Sequence, residues 1–200
     1  MELYIVCSLS IFIWASLTYV TYINSTNFKI TRNYISIIHA TTILLFFTFK
    51  LSASYLFYIT FGYYTFDCLL EVYGLFKTRR LYNLGMILHH IISCYTLSYL
   101  LDPIVEEYLL YSFFTIEVSN YPVYLVYHLK SIKYNNKIVI KLLIILEALS
   151  FLYFRMFLCG ISIYDCIMSG VVPYLPIICG VAIYIMSAMW LYGMILQIVK

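Results

Sequence analysis

Long apolar stretches separated by short polar breaks dominate this sequence and limit what the chain can fold into. Stretches near the length of about 20 residues that crosses a bilayer as a helix occur at roughly residues 3–23, 34–49, 53–76, 84–101, 107–129, 138–158 and 174–197, the second being the shortest. Only 10% of the residues are charged, against about 25% in soluble domains. The sequence therefore predicts an all-α, multi-pass transmembrane helical bundle with about seven spans.

The breaks between these stretches are short. None is long enough to separate domains, so we predict a single transmembrane domain over residues 1–200. The N-terminus has neither a basic region nor a small-residue cleavage site, and the first span is therefore expected to be retained and not removed as a signal peptide. The six cysteines are spread singly, and we expect them to be small apolar residues inside helices; the alternative is that Cys159 and Cys166, which flank one predicted loop, pair as a disulfide if that loop faces an oxidising lumen.

Charge in the breaks predicts the orientation of the bundle. With seven crossings, one side of the membrane receives nearly all of the basic residues at the span ends: Lys29, Arg32, Lys77, Arg79, Arg80, Lys130, Lys133, Lys137, Lys141 and Lys200. The other side receives Lys50 together with acidic residues. Because basic residues favour the cytosolic side, we expect an exoplasmic or lumenal N-terminus and a cytosolic C-terminus. Contact of the basic loops with anionic headgroups is the alternative explanation of this bias.

Composition argues against some function classes. The net charge is only +3 and basic residues form no long run, so no surface for nucleic acid is predicted. Four residues are conceivable zinc or iron ligands, namely His39, Asp67, His89 and His90. Their spacing matches no H-E-x-x-H or H-x-x-x-H pattern, so we predict no metal site and no bound cofactor. The Tyr-, Ile- and Asn-rich composition is typical of AT-rich coding, as in protists or large viruses.

Ionisable residues inside the predicted spans are the strongest functional signal. A charged group in the middle of a bilayer costs at least a few kcal/mol, so such groups usually face the bundle interior and often mark function. The alternative is that they only join helices by hydrogen bonds. They are His39 in the second span, Asp67 and Glu71 in the third, His89 and His90 in the fourth, Glu117 in the fifth, and Glu147 and Arg155 in the sixth.

Counting residues from the span ends predicts the depth of each group. His39, Asp67, His89 and His90 fall in one layer of the cytosolic half, Glu117 nearer the midplane, and Arg155 near the exoplasmic end. We therefore predict one intramembrane polar cavity. Glu71 lies one turn after Asp67, nearer the interface, where its carboxylate is expected to reach toward Lys77 or Arg79.

Acid–base or acyl-transfer chemistry is available to such a layer. A histidine can act as a general base or as a transient acyl acceptor, with Asp67 orienting it. His89 and His90 are adjacent and point about 100° apart on a helix, so only one of them is expected to lead the chemistry. The candidate catalytic residues are His89, His90 and Asp67.

Five short motifs follow one another in order along the spans. They are Ser-x-x-His (Ser36, His39), Gly-Tyr-x-x-x-Asp (Gly62, Tyr63, Asp67), His-His (His89, His90), Glu-x-Ser-x-x-Pro (Glu117, Ser119, Pro122) and Phe-x-x-x-Arg (Phe151, Arg155). This order resembles the TLC-domain family over residues 30–197. The long signature of its ceramide synthase branch, with a later His-Asp-x-x-Asp, is absent. The last span has Ser187 before Trp190, where many members have an Asn before the Trp. The chain therefore resembles the smaller, non-synthase members.

The resemblance implies a role in lipid handling, lipid sensing or control of lipid composition, with membrane lipids as partners. The alternative it implies is a lipid acyltransferase that takes acyl-CoA as co-substrate and uses the His-His pair with Asp67. The implied location is the endoplasmic reticulum or another endomembrane, or a host cell membrane if the source is a virus. Assembly into homo- or hetero-oligomers is left open. The expected polar cavity contains Ser36, His39, Asp67, Glu71, His89, His90, Glu117, Ser119 and Arg155.

Overall fold

The computed structural model describes residues 2–25, 27–78 and 81–199. Within these ranges the chain forms seven long helices and no strand. Their bounds are α1 Glu2–Ser25, α2 Phe28–Thr48, α3 Ala53–Thr78, α4 Leu81–Ser98, α5 Pro103–Ser131, α6 Lys137–Ser169 and α7 Tyr174–Val199. The predicted all-α bundle is confirmed.

Five of the described helices, namely α1, α2, α4, α6 and α7, are long and apolar enough to cross a membrane. The remaining two, α3 and α5, have 26 and 29 residues and are long enough to span, but they carry more polar side chains. Asp67 and Glu71 of α3 and Glu117 of α5 are buried in the bundle. Buried acids lower the hydropathy of a helix without presenting charge to lipid, so these two helices form the polar centre of the bundle.

Polar residues in the breaks end and restart the helices. The side chain of Asn27 accepts hydrogen bonds from the first amides of α2, and Asn136 does the same for α6. Asp102 caps α5 in the same way, with Pro103 following at the first helical position. Gly170 ends α6 in the left-handed conformation, with φ of 64°, which suits glycine because it has no Cβ. These caps explain why the helices break where the sequence is polar.

Two predicted spans differ from the structure by more than five residues at one end. The second was predicted to begin at residue 34, but α2 begins at Phe28, so Arg32 lies inside a helix and not in a loop. The sixth was predicted to end at residue 158, but a π-helical stretch, Phe151–Leu158, continues the helix to Ser169. Cys159 and Cys166 therefore lie on one helix as free thiols. The predicted loop between them and the alternative of a disulfide are wrong, whereas the expectation that these cysteines lie inside a helix is confirmed.

Contacts between helix ends show that the helices alternate in direction. Arg32 near the start of α2 contacts Glu71 near the end of α3. The Tyr34 ring lies 5.4 Å from that of His128 near the end of α5, and Lys130 donates to Gln197 near the end of α7. The basic ends of these helices thus meet at one end of the bundle. The sidedness of that end stays a prediction, and Arg79, Arg80 and Lys200 lie outside the described residues.

Helix α1 packs closely on α3. A Cβ added to Gly62 would lie 2.6 Å from the Cβ of Ser10 and 2.9 Å from its carbonyl carbon, so only glycine allows this approach. The Trp14 indole then donates to the Ile59 carbonyl at 2.9 Å. This contact places the Trp14 ring 5.8 Å from that of His39, which brings α1 to the edge of the polar centre.

Candidate functional site

The residues predicted to form the polar cavity collect in one band across the interior of the bundle. All are buried except Ser36, which is half-buried. The band has three parts, each described below: an ion cluster around Arg32, a stacked pair at His39, and a network around Glu117 and Arg155.

The ion cluster joins Arg32, Asp67, Glu71 and His90. One guanidinium nitrogen, Nη2 of Arg32, donates to both oxygens of Asp67 at 2.9 and 3.0 Å and to Oε1 of Glu71 at 2.7 Å. Glu71 was predicted to reach toward Lys77 or Arg79, but its described ion pair is with Arg32, because α2 begins early enough to bring that arginine inside. Arg79 lies outside the described residues. Two carboxylates thus share one cation.

The His-His pair divides between two surroundings. Nε2 of His90 lies 3.4 Å from Oδ2 of Asp67, whereas the His89 ring packs edge-on against Trp190 at 5.4 Å. The two ring centroids lie 5.5 Å apart, and each ring has a different neighbour. His90 is therefore the member of the pair that Asp67 can orient.

His39 is fully buried and stacks on Tyr63, with ring centroids 3.8 Å apart. The Tyr63 hydroxyl donates to Ser36 at 2.9 Å, which holds the stack in place. Nδ1 of His39 lies 4.0 Å from Oε2 of Glu117, beyond hydrogen-bond distance. Among the described residues, neither ring nitrogen of His39 has a hydrogen-bond partner, and the same is true of Nδ1 of His89 and of His90.

Glu117 accepts hydrogen bonds at both carboxyl oxygens. The Tyr64 hydroxyl donates to Oε1 at 2.8 Å, and the Asn120 amide donates to Oε2 at 3.2 Å. Asn120 also accepts a hydrogen bond from Nη2 of Arg155 at 2.6 Å. One amide therefore bridges a buried carboxylate and a buried guanidinium.

Arg155 lies in the π-helical stretch of α6 and is 3% exposed. Besides Asn120, it donates to Ser119 at 2.7 Å, to Ser187 at 3.3 Å and to the Ile116 carbonyl at 3.4 Å. Its guanidinium also lies over the ring of Phe151, at 4.5 Å. Arg155 was predicted near the exoplasmic end of its span, and that is wrong. Because α6 extends to Ser169, Arg155 lies near the middle of the helix, beside Glu117 and its neighbours.

Beside this band lies a mostly apolar cavity of about 40 Å³. Helices α3 to α7 enclose it. Its walls include Leu109, Phe113, Ile163 and Ile183, with hydroxyl groups from Ser93, Thr96 and Ser112. None of the residues predicted to form the polar cavity lines it. Two lining residues also belong to the band: the Tyr64 side chain, whose hydroxyl donates to Glu117, and Ile116, whose main-chain carbonyl accepts from Arg155.

Several residues of the site were not singled out from the sequence. Tyr64 carried no signal, because the chain has 23 tyrosines. Arg32 was assigned to a loop by its charge. Asn120 could have been recognised from the sequence, because it lies one helical turn after Glu117, at a spacing where side chains meet.

The described part of the chain holds no group of three or more His, Cys, Asp or Glu side chains arranged to hold a metal ion. His90 and Asp67 are close, but Arg32 binds both Asp67 and the second nearby carboxylate, Glu71. The described side chains of this site can donate and accept hydrogen bonds and exchange protons.

Comparison with known families gives one match. Residues 50–196 match the family described as the TLC domain, which is more than half of the chain and runs from the turn before α3 into α7. The residues that α2 contributes, Arg32, Ser36 and His39, precede the matched region. Neither a curated protein nor a solved structure matches the chain.

Proposed function

Because this chain is a multi-pass membrane protein that belongs to the TLC-domain family, we propose that it binds a membrane lipid inside its bundle and so senses or adjusts the lipid composition of its membrane. One observation carries the proposal: Tyr64 joins an apolar cavity to a buried polar band. A lipid has the same two parts, a chain and a polar end. The compartment we propose is the endoplasmic reticulum or another endomembrane.

The size of the cavity limits what enters it. Since about 10–15 Å³ of such space holds one water-sized group, a cavity of about 40 Å³ takes roughly three. That is the tip of one acyl chain. Larger occupancy requires the walls to move, and Tyr64 is the wall that faces the polar band.

The polar band supplies the affinity in this proposal. An acyl chain that moves from the bilayer into the bundle gains little from the hydrophobic effect, because the lipid tails around it were equally apolar. A buried polar atom without a partner costs about 1–3 kcal/mol. His39, His89 and His90 carry such atoms in the described structure, so a ligand whose polar end bonds them recovers part of that cost.

A lipid acyltransferase is the second candidate, favoured by the distance of 3.4 Å between His90 and Asp67. In that reaction His90 would take the proton from an amine or hydroxyl as it attacks the thioester of acyl-CoA, and the thiolate of coenzyme A would leave. The ion cluster weakens this reading, because Arg32 already binds both oxygens of Asp67. A carboxylate shared with a guanidinium supports a histidinium less well.

Lipidomics of membranes with and without the chain tests the proposal. Three variants separate the readings: His90→Ala and Asp67→Asn alter the predicted chemistry, and Gly180→Leu fills the cavity, since a Cβ there meets only Ile163, at 3.7 Å. Gly193→Leu is the matched control on the same helix, because a Cβ at Gly193 meets nothing within 4 Å.

We expect a change in lipid composition that Gly180→Leu abolishes and Gly193→Leu preserves. If the change in lipid composition also requires both His90 and Asp67 and converts one lipid class into another, the protein is a lipid acyltransferase, and the proposal of lipid binding alone is wrong. If membranes with and without the chain have the same lipids, and none binds the purified protein, a lipid role is wrong.

A further inference from the structure

Tyr64 separates the cavity from the polar band. It is only 3% exposed, and its ring lies 5.3 Å from that of His39 and 5.6 Å from that of His90. The hydrogen bond to Glu117 holds the ring in place. Tyr64 also lines the cavity, which offers space into which its ring can move.

The hydrogen bonds of Glu117 restrict what can replace the Tyr64 hydroxyl. Both carboxyl oxygens accept, one from Tyr64 and one from Asn120. A group that takes the place of the hydroxyl must therefore donate a hydrogen bond. An ether, an ester carbonyl or an ionised carboxylate cannot do so, and an anion would also be repelled by an ionised Glu117.

His39 restricts the group further. Its Nδ1 lies 4.0 Å from Oε2 of Glu117, and neither of its ring nitrogens has a described partner. A neutral imidazole carries one donor and one acceptor, so a group between Glu117 and His39 that both donates and accepts can bond to either tautomer. An ammonium group donates but cannot accept. A hydroxyl group does both.

From this geometry we infer that Tyr64 is a gate between the cavity and the polar band, and that the lipid which opens it carries a free hydroxyl group that binds Glu117 in place of the Tyr64 hydroxyl. The inference rests on the proposed function and names the chemistry of its ligand. The chain of that lipid passes the displaced ring and ends in the apolar cavity. The phenol therefore acts as a built-in competitor of the ligand.

Competition binding with matched amphiphiles tests this on the full chain in lipid nanodiscs. The probe is a photoactivatable long-chain primary alcohol, competed by palmityl alcohol, palmityl methyl ether and palmitate. These competitors have the same alkyl chain length and differ only at the polar end. We expect palmityl alcohol to compete about fivefold better than the ether, which corresponds to one hydrogen bond of about 1 kcal/mol, and palmitate to compete least.

Tyr64→Phe keeps the ring and removes the competing hydroxyl. We expect it to raise the affinities for palmityl alcohol and for the ether by a similar factor of about five, because neither must then break the hydrogen bond between Tyr64 and Glu117, and to keep the preference for the alcohol. Tyr121→Phe is the matched control, because it removes a hydroxyl that donates to Thr41 at the seam of α2 and α5. Glu117→Met removes the acceptor, and the preference for the alcohol over the ether should disappear. If either variant fails to fold, the competition between palmityl alcohol, the ether and palmitate on the wild-type protein still tests the inference.

Failure of the inference is distinguishable from failure of the proposed function. If the ether or palmitate competes as well as the alcohol, the hydroxyl is wrong, and if Tyr64→Phe leaves the affinity for the alcohol unchanged, the gate is wrong; in both cases lipid binding stands. If labelling of the wild type is no stronger than that of Gly180→Leu, and no competitor reduces it, the cavity binds no chain and the proposed function fails with it.

Discussion

The two arginines that the structure describes, Arg32 and Arg155, lie inside the bundle and have different surroundings. Arg32 binds two carboxylates through one nitrogen, and 30% of its side chain is exposed. Arg155 is 3% exposed and donates to hydroxyls, an amide and a main-chain carbonyl, with no carboxylate among its described hydrogen-bond partners. The first cation is balanced by anions. The second is stabilised by dipoles and by the faces of Phe151 and Trp190.

The difference shows which groups depend on each arginine. Asp67 and Glu71 share Arg32 as their described cation, so removing it leaves two buried carboxylates together. The partners of Arg155 are mostly neutral, and two of them also bond within their own helices: Ser119 donates to the Ile116 carbonyl and Ser187 to that of Ile183. They keep a bond when the guanidinium is gone. The exposed arginine is therefore predicted to be the more costly one to remove.

Arg32→Met is expected to have the largest effect. Breaking a buried ion pair by removing one partner costs about 3–5 kcal/mol, and the partial exposure of Arg32 places this variant near the lower figure. The reason is repulsion and desolvation of the two remaining carboxylates, not the loss of packing. Chemical unfolding of the purified protein in detergent micelles measures the change in the free energy of unfolding.

Two further variants show whether charge is the cause. Adding Asp67→Asn and Glu71→Gln to Arg32→Met should restore most of the lost stability, because the two side chains that Arg32 neutralises then carry no charge. Lys29→Met, on the exposed side of the same helix, should change the free energy of unfolding by less than about 0.5 kcal/mol. If the triple variant is no more stable than Arg32→Met alone, the carboxylates are not the source of the cost.

Arg155→Met is expected to cost less, about 1–2 kcal/mol, the penalty of leaving a neutral polar group without its partner. Asn120 is the residue that loses most, since its carbonyl then has no described donor. The same unfolding experiment measures the cost. A loss larger than that of Arg32→Met would reverse the comparison and would show that Glu117 depends on the charge of Arg155 across Asn120.

Sequence reasoning predicted the class of fold and most of the polar band, because both depend on patterns that lipid imposes. Apolar length reveals helices, and an acid such as Glu117 within such a length must turn inward. The helix bounds were harder. Arg32 was taken for a loop residue because charge at the end of a span usually marks the interface, and only the pairing with α3 shows otherwise. The π-helical stretch in α6 left no polar break by which to recognise where that helix ends.

The apolar cavity beside the polar band could not be predicted from the sequence. Its walls come from five helices, and residues such as Leu109 and Ile183 are indistinguishable in sequence from those that face lipid. Tyr64 illustrates the same limit. Its role depends on which side of α3 faces Glu117 on α5, and that is fixed by the packing of α3 against α1 at Gly62 and against α4. Pair contacts between distant segments carry this information, and a single sequence does not display them.

Salt provides the smallest and most selective test of the two arginines. Raising NaCl from about 0.1 M to about 1 M shortens the Debye length from about 10 Å to about 3 Å, which weakens charge interactions that water reaches. The stability gap between wild type and Arg32→Met should then narrow by about 0.5 kcal/mol, since partly exposed ion pairs contribute at most about 1 kcal/mol through this screened route. The gap for Arg155→Met should stay constant, because its partners are buried. General effects of salt on folding act on wild type and variant alike and cancel in each gap, so equal narrowing for both arginines would mean that water reaches Arg155 as well.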